Sequence, residues 1–152
     1  MGLSADVEQA VTKIVCADWN KRRGIVVPST EDVNLSNGAV EISAVYLYAD
    51  LADSTGLARD FTPTTAAKVI RAYLDATCRV IRARGGHIRS FDGDRVMAIF
   101  MGKAKNTDAA KCGLQINYAV QKIVRPKVEA NLSSIKAKGF QIKSNCQDLW
   151  IS

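Results

Sequence analysis

The sequence predicts an α+β fold: a βαββαβ succession with helices on one face of an antiparallel sheet, preceded by an N-terminal helix. Three observations carry this expectation. An apolar, aromatic-rich run, Ala44-Val45-Tyr46-Leu47-Tyr48-Ala49-Asp50, stops at an acid. A long stripe of helical period follows, and then Asp92-Gly93 separates two short apolar runs as a hairpin turn would.

From the start, Val7, Ala10, Val11, Ile14, Val15 and Trp19 fall on one face of a helix over 4–23, with Ser4 as N-cap and Gly24 as its end. This helix is placed outside the core. Residues 24–38 read as a linker, because Val26-Val27-Pro28-Ser29-Thr30 cannot continue a helix and Asn37-Gly38 marks a turn. The expected division is therefore a helix and linker over 1–38 and a main domain over 39–152. Its first strand spans 40–50, and alternation puts Tyr46, Tyr48 and Asp50 on one face and Val45, Leu47 and Ala49 on the other. The small, polar stretch 51–56 can open a short helix with its amides outward, a potential anion site. Thr62-Pro63 starts the long helix, whose stripe runs Ala66, Val69, Ile70, Tyr73, Leu74, Thr77, Val80, Ile81 and ends at Gly85-Gly86. The hairpin occupies 86–91 and 94–101. Asn106-Thr107-Asp108 is expected to cap the next helix, Pro126 to end or kink it, and a further helical pattern through Val128, Leu132 and Ile135 to reach Gly139. Residues 140–143 alternate like a strand, and 145–152 give no pattern. A ferredoxin-like order of this kind makes the first and third core strands central neighbours.

Composition bounds the rest. At 152 residues the chain suits one domain, and its +6 formal charge is spread without a basic block, which favours a solvated cationic surface over a nucleic-acid track. Cys16, Cys78, Cys112 and Cys146 form no CxxC pair and read as buried thiols of a reducing compartment. No apolar stretch reaches membrane-spanning length, and acids stand where a signal peptide needs basic residues, so a cytoplasmic protein is expected, without a membrane or nucleic-acid partner.

Asp50 alone would be a helix cap, and Asp94 alone a turn residue. If their strands are neighbours, the two carboxylates meet at one sheet edge beside the small-residue stretch, and a Mg²⁺ or Mn²⁺ site for a nucleoside triphosphate becomes the better explanation. Magnesium is commonly held by one or two carboxylates plus substrate phosphates. Asp92 suits the turn instead. His87 is expected to be a surface or packing residue, Trp19 and Trp150 to pack near the termini, and Lys103 and Lys105 to be solvated.

The two stretches together, Tyr46-Leu47-Tyr48-Ala49-Asp50-Leu51-Ala52-Asp53-Ser54-Thr55-Gly56 and Gly86-His87-Ile88-Arg89-Ser90-Phe91-Asp92-Gly93-Asp94-Arg95-Val96-Met97-Ala98-Ile99-Phe100, resemble the class III nucleotidyl cyclases over about residues 40–125. The resemblance implies a cyclase core with Asp50 and Asp94 as catalytic residues holding two divalent ions. It also implies the Leu51 carbonyl as a further metal ligand, and the amides of Ala52, Asp53, Ser54, Thr55 and Gly56 as holders of the β- and γ-phosphates. The ribose 3′-hydroxyl would attack the α-phosphate, giving a 3′,5′-cyclic nucleotide and pyrophosphate, in a homodimer with interfacial sites. Purine cyclases of this kind carry a base-reading Lys or Glu where this chain has Ser90, and Tyr48 would narrow the pocket. That combination is similar to the pyrimidine cyclases of bacterial Pycsar antiphage systems, which make cyclic UMP or cyclic CMP, with Tyr48, Ser90 and Arg95 in the base pocket. Tyr48 could equally be a sheet-face aromatic, and Arg95 a solvent-facing strand residue. The family's later helix with an Asn three to five residues before an Arg has no counterpart in this sequence, which implies a domain truncated at its C-terminal end and slow turnover by this chain alone. The alternatives are a degenerate cyclase-homology domain that binds nucleotide or dimerises, an adenylate cyclase, and a polymerase-palm relative such as a diguanylate cyclase. The last finds no Gly-Gly-Asp/Glu-Glu-Phe turn to support it.

Overall fold

The computed structural model describes residues 2–151, with side chains described over 2–147. The expectation for Trp150 lies outside the described side chains. Two compact units emerge, Met1–Ser43 and Ala44–Ser152.

In the first unit, helix α1 (Leu3–Val15) stops well short of Arg23, and Gly2 rather than Ser4 occupies its N-cap. Residues Asn20–Arg23 form strand β1, which pairs in parallel with β2 (Gly38–Glu41). The pairing supplies what a longer helix would have: Asn20 N–H donates to the Asn37 carbonyl at 2.8 Å and Gly24 N–H to that of Glu41 at 2.9 Å. Gly24 is needed there, since a Cβ would lie 2.6 Å from Val40 Cγ1. The linker is ordered in part by a 3-10 turn, Thr30–Asp32, whose Asp32 carboxylate accepts from the Ser29 amide and hydroxyl, both at 2.8 Å. Trp19 and Cys16 are exposed, against the expectation that they pack.

The strand expected over 40–50 is thus two: β2 in the first unit, and β3 (Ala44–Leu51) in the second. There β3 lies between β5 (Arg95–Phe100) and β6 (Ser144–Ile151), and β4 (His87–Asp92) completes the antiparallel order β4-β5-β3-β6. Along β3 the burial alternates as its hydropathy does. Val45, Leu47, Ala49 and Leu51 are buried in the core, while Tyr46, Tyr48 and Asp50 stay half-buried on the opposite face. Removing each such Val or Leu from water stabilises the fold by about 1.5–3 kcal/mol.

Helix α2 (Ser54–Asp60) leads to α3 (Pro63–Ala83), capped as expected by the Thr62 hydroxyl, which accepts from the Thr65 amide at 3.3 Å. Ala66, Val69, Tyr73, Thr77 and Ile81 are buried along its stripe. Gly86 lies so close to the core that a Cβ would meet Phe100 Cζ at 2.6 Å. In β4 the register slips between Ile88 and Ser90.

Helix α4 (Lys105–Ala119) begins before the expected cap, at Ala104, and no side chain caps it. A cap contributes only about 1 kcal/mol, so the packing of Ala109, Cys112 and Ile116 decides where the helix starts. Asp108 then serves in the first turn, where the helix dipole favours an acid. Pro126 does not end the helical path: a π segment, Val120–Val124, passes directly into α5 (Arg125–Asn131). The expected continuation to Gly139 breaks at Leu132 into a separate α6 (Ser133–Ala137). Residues 140–143 are not a strand. Their alternation reflects two anchors of a loop, Phe140 edge-on to Phe61 at 5.5 Å and Ile142 fully buried. Among the described residues no helix is long and apolar enough to cross a membrane.

Candidate metal and nucleotide site

Antiparallel register builds the site. Asp50 on β3 faces Arg95 on β5 and Asn145 on β6, and one step back Tyr48 faces Met97 and Gln147. Residues opposite one another in such pairs share a face, so two rows form on the side away from the helices: Arg95–Asp50–Asn145 and Met97–Tyr48–Gln147. The hairpin turn Gly93-Asp94 joins Asp92 to Arg95, and Gly93 takes φ +60°, which glycine adopts without strain. Asp94 therefore stands just beyond the first row, next to Asp50.

The electrostatics of the pair are unbalanced. Asp94 Oδ2 is buried and meets no hydrogen-bond donor among the described residues. Burial holds the Asp94 carboxyl above the usual carboxylate range. The nearby Asp50 carboxyl pushes the same way, while the turn's own backbone and the Ser54 hydroxyl oppose it. Asp50 is compensated by Arg95, whose Nη2 lies 3.2 Å from its Oδ2. An orphaned acid oxygen beside a second carboxylate fits a hard divalent cation, which needs only one or two protein carboxylates when a substrate's phosphates complete its shell. No group of three or more His, Cys, Asp or Glu that could hold a metal exists among the described residues, so any ion here would depend on ligands beyond the side chains.

The turn after Asp50 is tightly tied. Asp53 sits at the N-cap of α2 in the left-handed region (φ 59°), and its carboxylate accepts from the Gly56 amide at 3.1 Å. Gly56 has no room for a side chain, because a Cβ would fall 2.5 Å from Asp53 Oδ2. The Ala52 amide donates to the Lys143 carbonyl at 2.9 Å. Two of the five amides expected to cradle phosphates are thus already bonded, which corrects Ala52 and Gly56 and leaves Asp53, Ser54 and Thr55 at the helix entrance. The Leu51 side chain is buried in the core, so only its backbone remains for the expected ligand role.

A cleft of about 270 Å³ opens on the same face, lined by Tyr48, Asp50, Arg95, Asn145 and Gln147. Of the residues expected in a base pocket, Tyr48 and Arg95 line this cleft. Ser90 does not: it pairs with Met97 on edge strand β4, two strands from Tyr48, and does not line the cleft. Asn145 and Gln147 were not foreseen. The inward residues between and beside them are Ser144 and Cys146, so no apolar alternation betrays the strand; only the small, polar alternation of 144–147 could have done so. Ser144 and Cys146 instead meet α3 through a polar chain, Tyr73 Oη to Ser144 Oγ at 2.9 Å and Ser144 Oγ to Cys146 Sγ at 3.4 Å. His87 is exposed at the start of β4.

Comparison with known proteins places this geometry in context. A uridylate cyclase of Rhodovulum sp. (strain MB263) is 48% identical over 143 residues, which cover 94% of this chain and 60% of the relative. Uridylate cyclases of Xanthomonas perforans and Burkholderia cepacia are 36% and 38% identical, covering 90% and 84% of this chain and 59% and 57% of their own lengths. The chain thus spans about three-fifths of the curated relatives it matches. Among solved structures, the guanylyl cyclase Cya2 superposes with TM-score 0.59 at 23% identity, and the adenylyl cyclase CyaB of P. aeruginosa with 0.55 at 18%. Each match covers 69% of this chain, and 52% and 53% of those structures. At such identities the likeness is one of fold. No family model matches the chain.

Proposed function

We propose that this chain, a homologue of the curated uridylate cyclases with the fold of the class III adenylyl and guanylyl cyclases, carries the metal-binding residues of a pyrimidine nucleotide cyclase. The reaction would convert UTP or CTP to the 3′,5′-cyclic monophosphate and pyrophosphate. The observation that carries this reading is the pairing of Asp50 with Asp94, whose buried Oδ2 has no hydrogen-bond partner among the described residues.

Asp50, Asp94 and the Leu51 carbonyl would hold divalent ions, Mg²⁺ or Mn²⁺. Bound there, such ions lower the pKa of a coordinated hydroxyl and neutralise phosphate charge. The remaining work belongs to the chain's own groups. Arg95 holds one Asp50 oxygen and so sets the carboxylate's orientation. The amides of Asp53, Ser54 and Thr55 would bind phosphate oxygens, and Asp53 fixes that turn by capping α2. Tyr48, at the centre of the second row, forms a floor on which a base can lie. A homodimer with sites at the interface, and a second-messenger role in antiphage defence, complete the proposal and draw on the family resemblance.

The test is incubation of the purified chain with each of the four ribonucleoside triphosphates and Mn²⁺, scored for cyclic product and pyrophosphate, beside Asp50→Ala. Product from UTP or CTP, lost in the variant, supports the cyclase. A second reading, a module that binds nucleotide without cyclising it, draws on the Arg95–Asp50 ion pair, which occupies one of the two acids. Metal-dependent nucleotide binding with no product from any triphosphate would favour it.

A further inference from the structure

The cleft has a base end and a metal end, and strand register tells them apart. Asn145 stands in the row of Asp50 and Arg95, whereas Gln147 stands in the row of Tyr48. Residues two apart on a strand are separated by about 6.6 Å along it, enough to place a ribose at one and a base at the other. Both amides are exposed on the open sheet face and line the same cleft.

We propose that Gln147 is a specificity-determining residue that reads the Watson–Crick edge of the pyrimidine base, with Asn145 alongside the ribose. The inference rests on the nucleotide site proposed above. A carboxamide presents one acceptor and one donor side by side. Uracil offers the matching N3–H and O4, and cytosine the matching N4–H₂ and N3. A neutral amide beside a phenol therefore suits pyrimidines of either kind, without the charged partner that Ser90 also fails to supply. A carboxylate at the same position could only accept. It would keep one bond, from uracil N3–H or from cytosine N4–H₂, and would set its second oxygen against uracil O4 or cytosine N3.

The experiment is calorimetric titration of the α,β-methylene analogues of UTP, CTP and ATP into wild type, Gln147→Glu and Gln147→Ala, with Mn²⁺ present and circular dichroism to verify folding. Gln147→Glu should weaken UTP and CTP alike by about tenfold, the scale of a bidentate base contact. Gln147→Ala should weaken both pyrimidines by a similar factor, with ATP unaffected. Wild-type binding with the affinities for UTP and CTP analogues unchanged in both variants would overturn the role of Gln147 and leave the site standing. Failure of wild type to bind any of the three analogues would overturn the site and this inference together.

Discussion

Replacing Asp94 by Asn should make the metal-free protein more stable and insensitive to the metal. In the wild type, Oδ2 of Asp94 is buried without a donor among the described residues and lies beside a second carboxylate. Leaving a buried polar group unmet costs about 1–3 kcal/mol, and the half-buried setting of Asp94 argues for the low end, about 1 kcal/mol. An Asn removes the charge and can donate to Asp50, so the melting temperature should rise by about 4 °C in a domain of this size. The pH dependence follows from the sign of the shift. The folded carboxyl is raised above its unfolded value, so the proton favours the fold. Its stabilisation is complete below the unfolded pKa and is lost as pH rises through the folded one. The advantage of Asp94→Asn should therefore be present at pH 7 and vanish near pH 3. Saturating Mn²⁺ should reverse the order, because binding stabilises only the protein that retains the site. Thermal denaturation at both pH values, with and without Mn²⁺, reads all of this. A variant less stable than wild type at pH 7 without metal, or one that gains as much from Mn²⁺, would refute the reasoning.

Three further substitutions probe the surroundings. Arg95→Ala removes a half-exposed ion pair worth at most about 1 kcal/mol, so stability should barely change while Mn²⁺ affinity rises through the freed Asp50, measured by titration calorimetry. Gly56→Ala drives a methyl into the Asp53 carboxylate and should cost about 1 kcal/mol in urea denaturation through loss of the α2 cap, together with weaker triphosphate binding. Tyr73→Phe deletes the bond from α3 to Ser144 on β6 and should destabilise by about 1 kcal/mol, with Mn²⁺ affinity changed less than by Arg95→Ala.

The parts legible in the sequence were those with strong periodicity. The stripe of α3 and the alternation of β3 are set by burial on one side, and the neighbouring strands of Asp50 and Asp94 follow from the order of elements. The hairpin was legible because Gly93 takes a conformation few other residues tolerate. What was lost was lost to competition between local and tertiary terms. Asn106-Thr107-Asp108 looks like a cap, yet the buried face of α4 starts the helix earlier. Residues 20–23 lie within the expected helix, which no signal before Gly24 stops, but pair with β2 instead. Strand β6 was invisible because its inward residues, Ser144 and Cys146, are small and weakly apolar, and the interaction with Tyr73 that anchors them is 71 residues distant in sequence. Asn145 and Gln147 stayed hidden with it. The phosphate cradle was over-read for a similar reason: the bonds that engage the Ala52 and Gly56 amides come from Lys143 and from a left-handed Asp53, neither of which a local pattern announces.

The account stands or falls on Asp50 and Asp94 holding a cation together. Paramagnetic broadening of the amide spectrum by substoichiometric Mn²⁺ with the uncleavable UTP analogue tests it most directly. The account predicts that the signals around Asp50–Ser54 and Gly93–Arg95 broaden together, and that neither set responds in Asp50→Ala. Broadening of only one segment, or of both in the variant as well, would contradict it.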